Sequence, residues 1–568
     1  VTDSLGVSYT QKEIDHIDFN VQKLLPHKFS EYGPALAVGD IDGNGLEDII
    51  AGGSYSYSTT LLLQQKNGSF KEKPLIPQAN NNTKGWEDMG IVLFDADNDE
   101  DLDIYIASGG YESKPGSEAY KDKLFINDGK GNFDINSNAL PQNFTSKSCV
   151  RAADFDRDGD LDLFVAGRVD PWNYPKPVSS YIFRNDTKDG KIKFTDVSDI
   201  VAKSLNSIGL VCDAVWTDFN SDGWQDLILT GEWMALRFLK NNNGIFNDIT
   251  STTGIDNKHG WWTSIVPGDF DNDGDIDYVA GNLGLNSFYR TGDKDTVKIY
   301  AKDYDNNGNY DAIPTLFLPT SQEDLSKKEY PAQTRDDMAK QMIMFRSKFQ
   351  NYRTYASATF DKMLSKDELK DALVLKANYF ANSLIKNLGN GKFQIIPLPL
   401  ATQYSCINGM LCDDFDGDGN LDLLINGNDY GTEVSVGRYD ACNGLFLKGN
   451  GNGNFSPLSI LQSGWYVPGN GKALVKLQNA AGETLVAASQ NKGPLKIFQF
   501  KRKSKVVSLG PADVSAIVKY KDGHQQKREI NYGASFLSQS GRFLNIGSNV
   551  VSIQIMDNNG KIRNIEPN

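Results

Sequence analysis

Apolar residues fall in short bursts along most of the chain, and each burst is closed by a turn rich in Asp, Asn and Gly. A burst such as LAVGD (36–40), IVLFD (91–95) or AVWTD (214–218) ends on an acidic turn, and a second burst follows at once, as in DIIAGG (48–53), DLFVAG (162–167), DLILTG (226–231) and DLLING (422–427). Runs of this length bounded by turn residues predict strands rather than helices. Further along most units an Asn/Gly turn precedes Phe: NGSF (67–70), NDGKGNF (127–133), NNNGIF (241–246), NLGNGKF (387–393) and GNGNGNF (449–455). These are hairpin signals. Each unit therefore predicts about four short strands in about 50–65 residues, a sheet that must stack on neighbours to bury both faces.

The rhythm breaks once. From about residue 322 to 376 the turn glycines vanish, and RDDMAKQMIMFRSKFQNYRTYASATFDKML (335–364) predicts helix, with Met338, Met342, Phe345 and Phe349 at helical spacing. That face suits packing on the rim of the repeat array or docking a partner. Residues 471–500 have the strand pattern without an acidic turn, and the last 64 residues alternate polar and apolar positions (VSAIVKY, VVSIQIM) around KDG and DNNG turns, predicting a small β-sandwich.

The acidic turns share one nine-residue template with oxygen-bearing side chains at positions 1, 3, 5 and 9. The copies are Asp40, Asp42, Asn44 and Asp48; Asp95, Asp97, Asp99 and Asp103; Asp154, Asp156, Asp158 and Asp162; and Asp218, Asn220, Asp222 and Asp226. They continue with Asp269, Asp271, Asp273 and Asp277; Asp303, Asp305, Asn307 and Asp311; and Asp414, Asp416, Asp418 and Asp422. Oxygens at this spacing, with a backbone carbonyl at position 7, can wrap a hard cation such as Ca²⁺, and Gly at position 6 permits the bend. Glu100 replaces that glycine in the second copy and Asn220 an aspartate in the fourth, so these two loops are expected to bind more weakly. Up to seven structural Ca²⁺ ions follow.

This loop, with its downstream Gly and Phe, resembles the FG-GAP/VCBS repeat of integrin-α-type β-propellers over about residues 35–502. The stretch YGASFLSQSGRFLNIGS (532–548) with the VVSIQIMDNNGKI that follows resembles an ASPIC/UnbV domain over about 505–568. The expected fold is an all-β propeller of seven blades, or eight if the loop at 303–311 opens a blade of its own. Residues 1–34 would pack on it as a lead segment, the helical insertion would interrupt the fifth blade, and a small β domain would follow. The resemblance extends to exported Bacteroidota surface proteins and the cartilage-acidic-protein group. It implies an extracytoplasmic location, at the cell surface or associated with the outer membrane, and a binding or scaffolding role more often than catalysis, with an outer-membrane or surface protein as partner.

Composition adds limits. The net charge of −15, without a Lys/Arg-rich run, excludes nucleic acid as a natural partner. No apolar run reaches transmembrane length, no signal peptide is visible, and the opening VTDSLGVSYT reads as a processed start. Five cysteines without CxxC spacing read as buried thiols, with a Cys406–Cys412 bridge as the alternative.

The segments after each second strand should emerge together on the face opposite the acidic loops. There Arg168, Asp170, Trp172, Glu232, Trp233, Asn282 and Tyr430 would ring one mouth as a sugar or protein contact surface, unless the aromatics only pack loop on loop. No HExxH or GxSxG motif is present, so catalytic residues are not assigned. Glu232 with Asp170 is the nearest to an acid pair, Arg168 could serve a lyase, and His259 in KHGWWTS is the best-placed histidine. Three readings stand: a calcium-stabilised surface binding or scaffold protein, a polysaccharide lyase or hydrolase, and a structural adhesion module.

Overall fold

Sequential antiparallel pairing builds the same sheet again and again. The computed structural model describes residues 1–77, 84–321, 324–502 and 504–566; residues 322–323 of the expected insertion and the last two of the expected C-terminal domain lie outside these. Among the described residues seven sheets run along the chain, each ordered from an inner strand outward. Their inner strands are Leu36–Gly39, Glu87–Phe94, Ser146–Ala153, Leu210–Thr217, Ser264–Gly268, Ile407–Asp413 and Asn470–Gln478. The first two strands of a unit are buried almost throughout because both faces of each sheet are covered.

What covers them is the next sheet. Alternate residues of an inner strand face opposite neighbours, as the strand period requires: Leu36 and Val38 pack with Val475 and Leu485, whereas Ala37 packs with Ile91 and Ile104. The pattern continues through Val92 with Val150, Phe164 with Trp216, Val215 with Ile265, Val266 with Met410 and Leu411 with Leu474. Seven apolar clusters thus join each sheet to the next and the last back to the first. The fold is all-β, with repeated sheets of the propeller kind.

Two terminal segments complete the array. The seventh sheet has only three strands, and residues 1–11 lie along its outer edge: Leu495 N donates to Tyr9 O (3.0 Å) and Gln11 N to Gly493 O (3.0 Å). An edge that would otherwise show unpaired backbone groups is covered. At the axis, inner strands have backbone groups with no further strand beside them. Residues 532–541 of the C-terminal region thread this space. Ser538–Gln539 pair in parallel with Leu36–Ala37. Gln539 exchanges two bonds with Leu93 (2.6 and 2.9 Å), and Ser535 N donates to Ile265 O (3.0 Å). Met410 N donates to Ser535 Oγ (2.7 Å), Leu474 N to Ser538 Oγ (3.1 Å) and Lys476 N to Ser540 Oγ (3.1 Å). Tyr532 bridges to Ala152 in the third inner strand. The fourth is reached through Arg151, which donates to Ser535 O and Ala214 O and pairs with Asp213.

The rest of the C-terminal region forms one sheet of four strands and one of two. It sits on the acidic-loop face: Lys527 N donates to Asp269 Oδ2 (2.9 Å), Asp218 N to Glu529 (2.8 Å) and Asn558 Nδ2 to Asp154 O (3.0 Å).

The insertion leaves the fifth unit after its second strand. It forms its own four-stranded sheet from residues 297–377, and the acidic loop at 303–311 joins two strands of that sheet rather than opening a propeller unit. The expected long helix is four short ones, Arg335–Gln341, Met344–Lys348, Tyr352–Ala356 and Phe360–Met363. Thr334 and Asn351 cap two of them. Met338, Met342, Phe345 and Phe349 are all buried, packed with Ile313 and with Leu24 of the N-terminal segment. Among the described residues no helix is long and apolar enough to cross a membrane. All five cysteines are free.

Candidate functional site

The acidic loops owe their shape to position 1. In the first loop Asp40 accepts from Asn44 N (3.1 Å) and Gly45 N (2.8 Å), and the third, fourth and sixth loops repeat this with Asp154, Asp218 and Asp303. The position 5 side chain then accepts from position 7, as Asp99 does from Asp101 N (3.1 Å) and Asp418 from Asn420 N (2.9 Å). Position 9 is fully buried in every copy. Its carboxylate staples the loop to the third strand of the sheet: Asp48 accepts from Ile41 N (3.0 Å) and Gln64 N (2.7 Å), Asp103 from Ala96 N and Asn127 N (both 2.9 Å). The Asn that opens the hairpin turn reaches back to the preceding unit: Asn127 donates to Ile41 O, Asn241 to Phe155 O and Asn387 to Phe219 O. The loops at 40–48, 154–162 and 218–226 are therefore joints between units as well as turns.

Oxygens are left over, and they converge. One side-chain oxygen from each of three acidic residues lies within 4.8 Å of the others in Asp40/Asp42/Asp48, Asp95/Asp97/Asp99, Asp154/Asp156/Asp162, Asp269/Asp271/Asp273 and Asp303/Asp305/Asp311. At position 3 of these five loops, Oδ1 of Asp42, Asp97, Asp156, Asp271 and Asp305 is buried with no hydrogen-bond partner. A buried acceptor without a donor is costly. Burial, then neighbouring carboxylates, push Asp48 and Asp103 up to about 7, Asp277 and Asp422 to about 8 and Asp226 to about 9. These donor sets fit a hard cation held by oxygen. Lysine ammoniums compete at some of them, as Lys386 does at Asp271 of the fifth loop, and two loops fit less well. Asn220 stands at position 3 of the fourth, and in the seventh the Lys448 ammonium pairs with both Asp416 and Asp418.

Position 6 is left-handed throughout, from φ +73° at Glu100 to +103° at Gly159. Glycine adopts this freely, whereas a side chain pays about 1–2 kcal/mol. Glu100→Gly is expected to stabilise the protein by about 1 kcal/mol in urea unfolding with unchanged m-value.

On the opposite face, glycines stand at or near the ends of second strands for a steric reason: a Cβ on Gly167 would lie 2.0 Å from Ser179 O, and one on Gly427 2.0 Å from Cys406 O. The side chains that follow do not ring an open mouth. Residues 18–32 fold over it, pinned by Asp18, which accepts from Phe29 N, Ser30 N and Ser30 Oγ. They insert His27, Phe29 and Tyr32 among Tyr111, Tyr174, Trp233 and Trp261. Arg168 and Glu232 are 2% and 4% exposed and paired with each other. Glu232 also meets His27 Nε2 at 2.9 Å and accepts from Tyr32 and Tyr174. Burial opposes the Glu232 charge, but Arg168 and His27 outweigh it and bring its pKa down to about 2. A carboxyl held ionised in this way has no proton to give a leaving group.

Trp233 and Asn282 are buried as well, Asn282 accepting from Trp261 N (3.1 Å) and donating to Tyr379 O (3.2 Å). Asp170, Trp172 and Tyr430 remain partly exposed. Asp170 lies 3.3 Å from Lys176, Trp172 donates to Tyr111 O, and Tyr430 donates to Pro468 O beneath the Arg438 guanidinium. His259 is partly buried, and its backbone carbonyl accepts from Asn378 N and Tyr379 N, just after the insertion's return strand. The N-terminal segment was expected to pack on the array, but not to insert His27, Phe29 and Tyr32 over the mouth; the aromatic, charged stretch HKFSEY (27–32) was the signal for that.

No curated protein matches the sequence. Among solved structures, an Agrocybe aegerita lectin recognising non-reducing terminal N-acetylglucosamine shows 16% identity over 77% of this chain and 84% of that one, with a TM-score of 0.37. The V. cholerae biofilm matrix protein Bap1 shows 11% identity over 95% and 99%, with a TM-score of 0.37. The rhamnogalacturonan lyase YesW shows 12% over 82% and 72%, with a TM-score of 0.36. Likenesses at this level carry no argument about function. At the level of sequence, the chain matches the FG-GAP-like repeat at residues 40–106, 110–165 and 218–280, which span the first five acidic loops.

Proposed function

We propose that the chain is a calcium-stabilised, seven-bladed FG-GAP propeller that serves as a non-catalytic binding or scaffold protein on an extracytoplasmic surface. In this reading residues 1–34 are a lead segment, 35–502 the propeller with its insertion, and 505–568 an ASPIC/UnbV-like domain. Its partner is a protein of an outer-membrane assembly or a surface glycan. The observation that carries the proposal is that the chain itself fills both ends of the axial space. His27, Phe29 and Tyr32 occupy one end, and residues 532–541 the other. A propeller whose axial space is filled by its own termini is left with its rims, loops and appended domains for recognition. The buried Arg168–Glu232 pair, whose carboxylate is held ionised by Arg168 and His27, supports the same reading over a lyase or hydrolase that would use Glu232 as its acid.

Mild-detergent capture of the native protein from its own membranes, with and without chelator, tests the proposal. A stoichiometric surface protein that is lost on chelation is the expected result. A chain that emerges alone but cleaves acidic polysaccharide would contradict it.

A further inference from the structure

The N-terminal segment leaves one polar groove open beside it. It encloses about 580 Å³ between residues 28–31, the loop carrying Tyr430 and Arg438, and the stretches 468–470 and 490–496 of the seventh sheet. Its charge runs against that of the chain. Lys28, Arg438, Lys492 and Lys496 line it with Glu31 as the one acid, in a protein of net charge −15. Lys28 and Lys492 both reach Glu31, at 2.5 and 2.7 Å, so one carboxylate answers two ammonium groups. Arg438 lies over the Tyr430 ring at 4.8 Å and Lys496 over Tyr466 at 5.2 Å. Neither cation has a carboxylate partner among the described residues.

The floor carries a second and independent demand. Asn470 and Asn491 are 2% and 5% exposed, line the groove, and each has a buried Oδ1 without a hydrogen-bond partner. Asn491 spends its amide protons on Glu13 Oε1 and Gly33 O, both at 3.0 Å, so its carbonyl end is the one left over. An unanswered cation calls for an anion, and an unanswered buried acceptor for a donor. Sulfate alone would satisfy the first and leave both amide oxygens unpaired, and phosphate offers at most one or two hydroxyl donors on a single centre. A hydroxylated carboxylate satisfies both.

We propose that this groove is a binding site for acidic carbohydrate, a uronate-bearing saccharide whose carboxylate meets Arg438 and Lys496 and whose hydroxyls donate to Asn470 and Asn491. The volume falls in the usual range of small-ligand sites and has room for about two or three sugar rings. This deepens the glycan branch of the binding reading above and rests on it.

The test is calorimetric titration of the full, calcium-loaded chain with trimers of galacturonate, guluronate and mannuronate. Neutral maltotriose and triglutamate are the controls. At least one uronate trimer is expected to bind, more weakly as salt rises, with maltotriose and triglutamate weaker by tenfold or more. Arg438→Gln/Lys496→Gln is expected to lose about tenfold or more for the uronate, in line with removing charge-assisted hydrogen bonds. Both side chains sit at the groove surface, so an unchanged melting temperature will show the variant folded. Absence of binding by every uronate at millimolar concentration would overturn the site, as would equal affinity in the double variant. Equal affinity for triglutamate would overturn the carbohydrate class. None of these results touches calcium-dependent melting or partner capture, so failure here is distinct from failure of the scaffold reading.

Discussion

Stripping divalent cations from the native protein is expected to lower its melting temperature by roughly 10 °C or more, and restoring Ca²⁺ to recover it. A site saturated a hundredfold above its Kd contributes about 2.7 kcal/mol, so in a chain of 568 residues about five such sites produce a shift on this order. The structural reason lies in the position 9 aspartates. Asp48, Asp103 and Asp277 are buried between the loop and the third strand, among other carboxylates and with no cation from the protein strong enough to offset them. Burial raises their pKa, so ionised they cost stability and protonated they lose an acceptor. A divalent ion resolves both at once. Because Asn127, Asn241 and Asn387 tie each loop to the preceding unit, the loss should loosen contacts between units and not only the turns. Differential scanning calorimetry in chelator and after Ca²⁺ addition checks it.

Arg151→Met is expected to cost about 3–5 kcal/mol, the largest effect of any single substitution considered, because it strands Asp213 as an unpaired buried charge. Arg151 is 1% exposed and Asp213 fully buried. The guanidinium donates to Ala214 O in the fourth inner strand and to Ser535 O in the axial segment, while Asp213 accepts from Ala214 N and Ile265 N. One ion pair thus couples the third, fourth and fifth inner strands to the C-terminal segment. Chemical denaturation should show the loss. The double variant Arg151→Met/Asp213→Leu should recover a substantial part of it, since removing both charges removes the desolvation penalty as well. A single variant as stable as wild type would show that the axial segment does not hold the array together.

Much of the repeat was legible because its signals are local. A loop such as DFDRDGDLD needs only its own residues to declare the turn, and the apolar runs on either side needed only their length to read as strands. The loop at 303–311 showed the limit of that reading. Its residues match the template, yet it serves the insertion's own sheet, since which strands pair is settled by contacts far apart in sequence. The helical stretch was right in kind and wrong in length: Met338 and Phe345 are core residues as their spacing implied, but the backbone breaks at Met342, Phe349 and Ser357 into separate turns.

The mouth was read least well. Arg168, Glu232 and Trp233 do converge, as counting from the last loop aspartate implied, but nothing near them in sequence says that residues 18–32 will fold over them. The same holds at the other end. YGASFLSQSG shows small and polar residues, and only the structure shows that Ser535, Ser538 and Gln539 answer backbone groups from strands hundreds of residues away. The groove was invisible for the same reason, with its cations drawn from residues 28, 438, 492 and 496.

The central claim is that the acidic loops are cation clasps that join the units. Native mass spectrometry of the protein titrated with Ca²⁺, with Mg²⁺ as competitor, tests it most directly. The account predicts stepwise uptake of at least five Ca²⁺ per chain, one for each loop whose position 3 oxygen is left unpartnered, with the remaining two loops filling last or not at all. A chain that stays at its metal-free mass in saturating Ca²⁺ would contradict it.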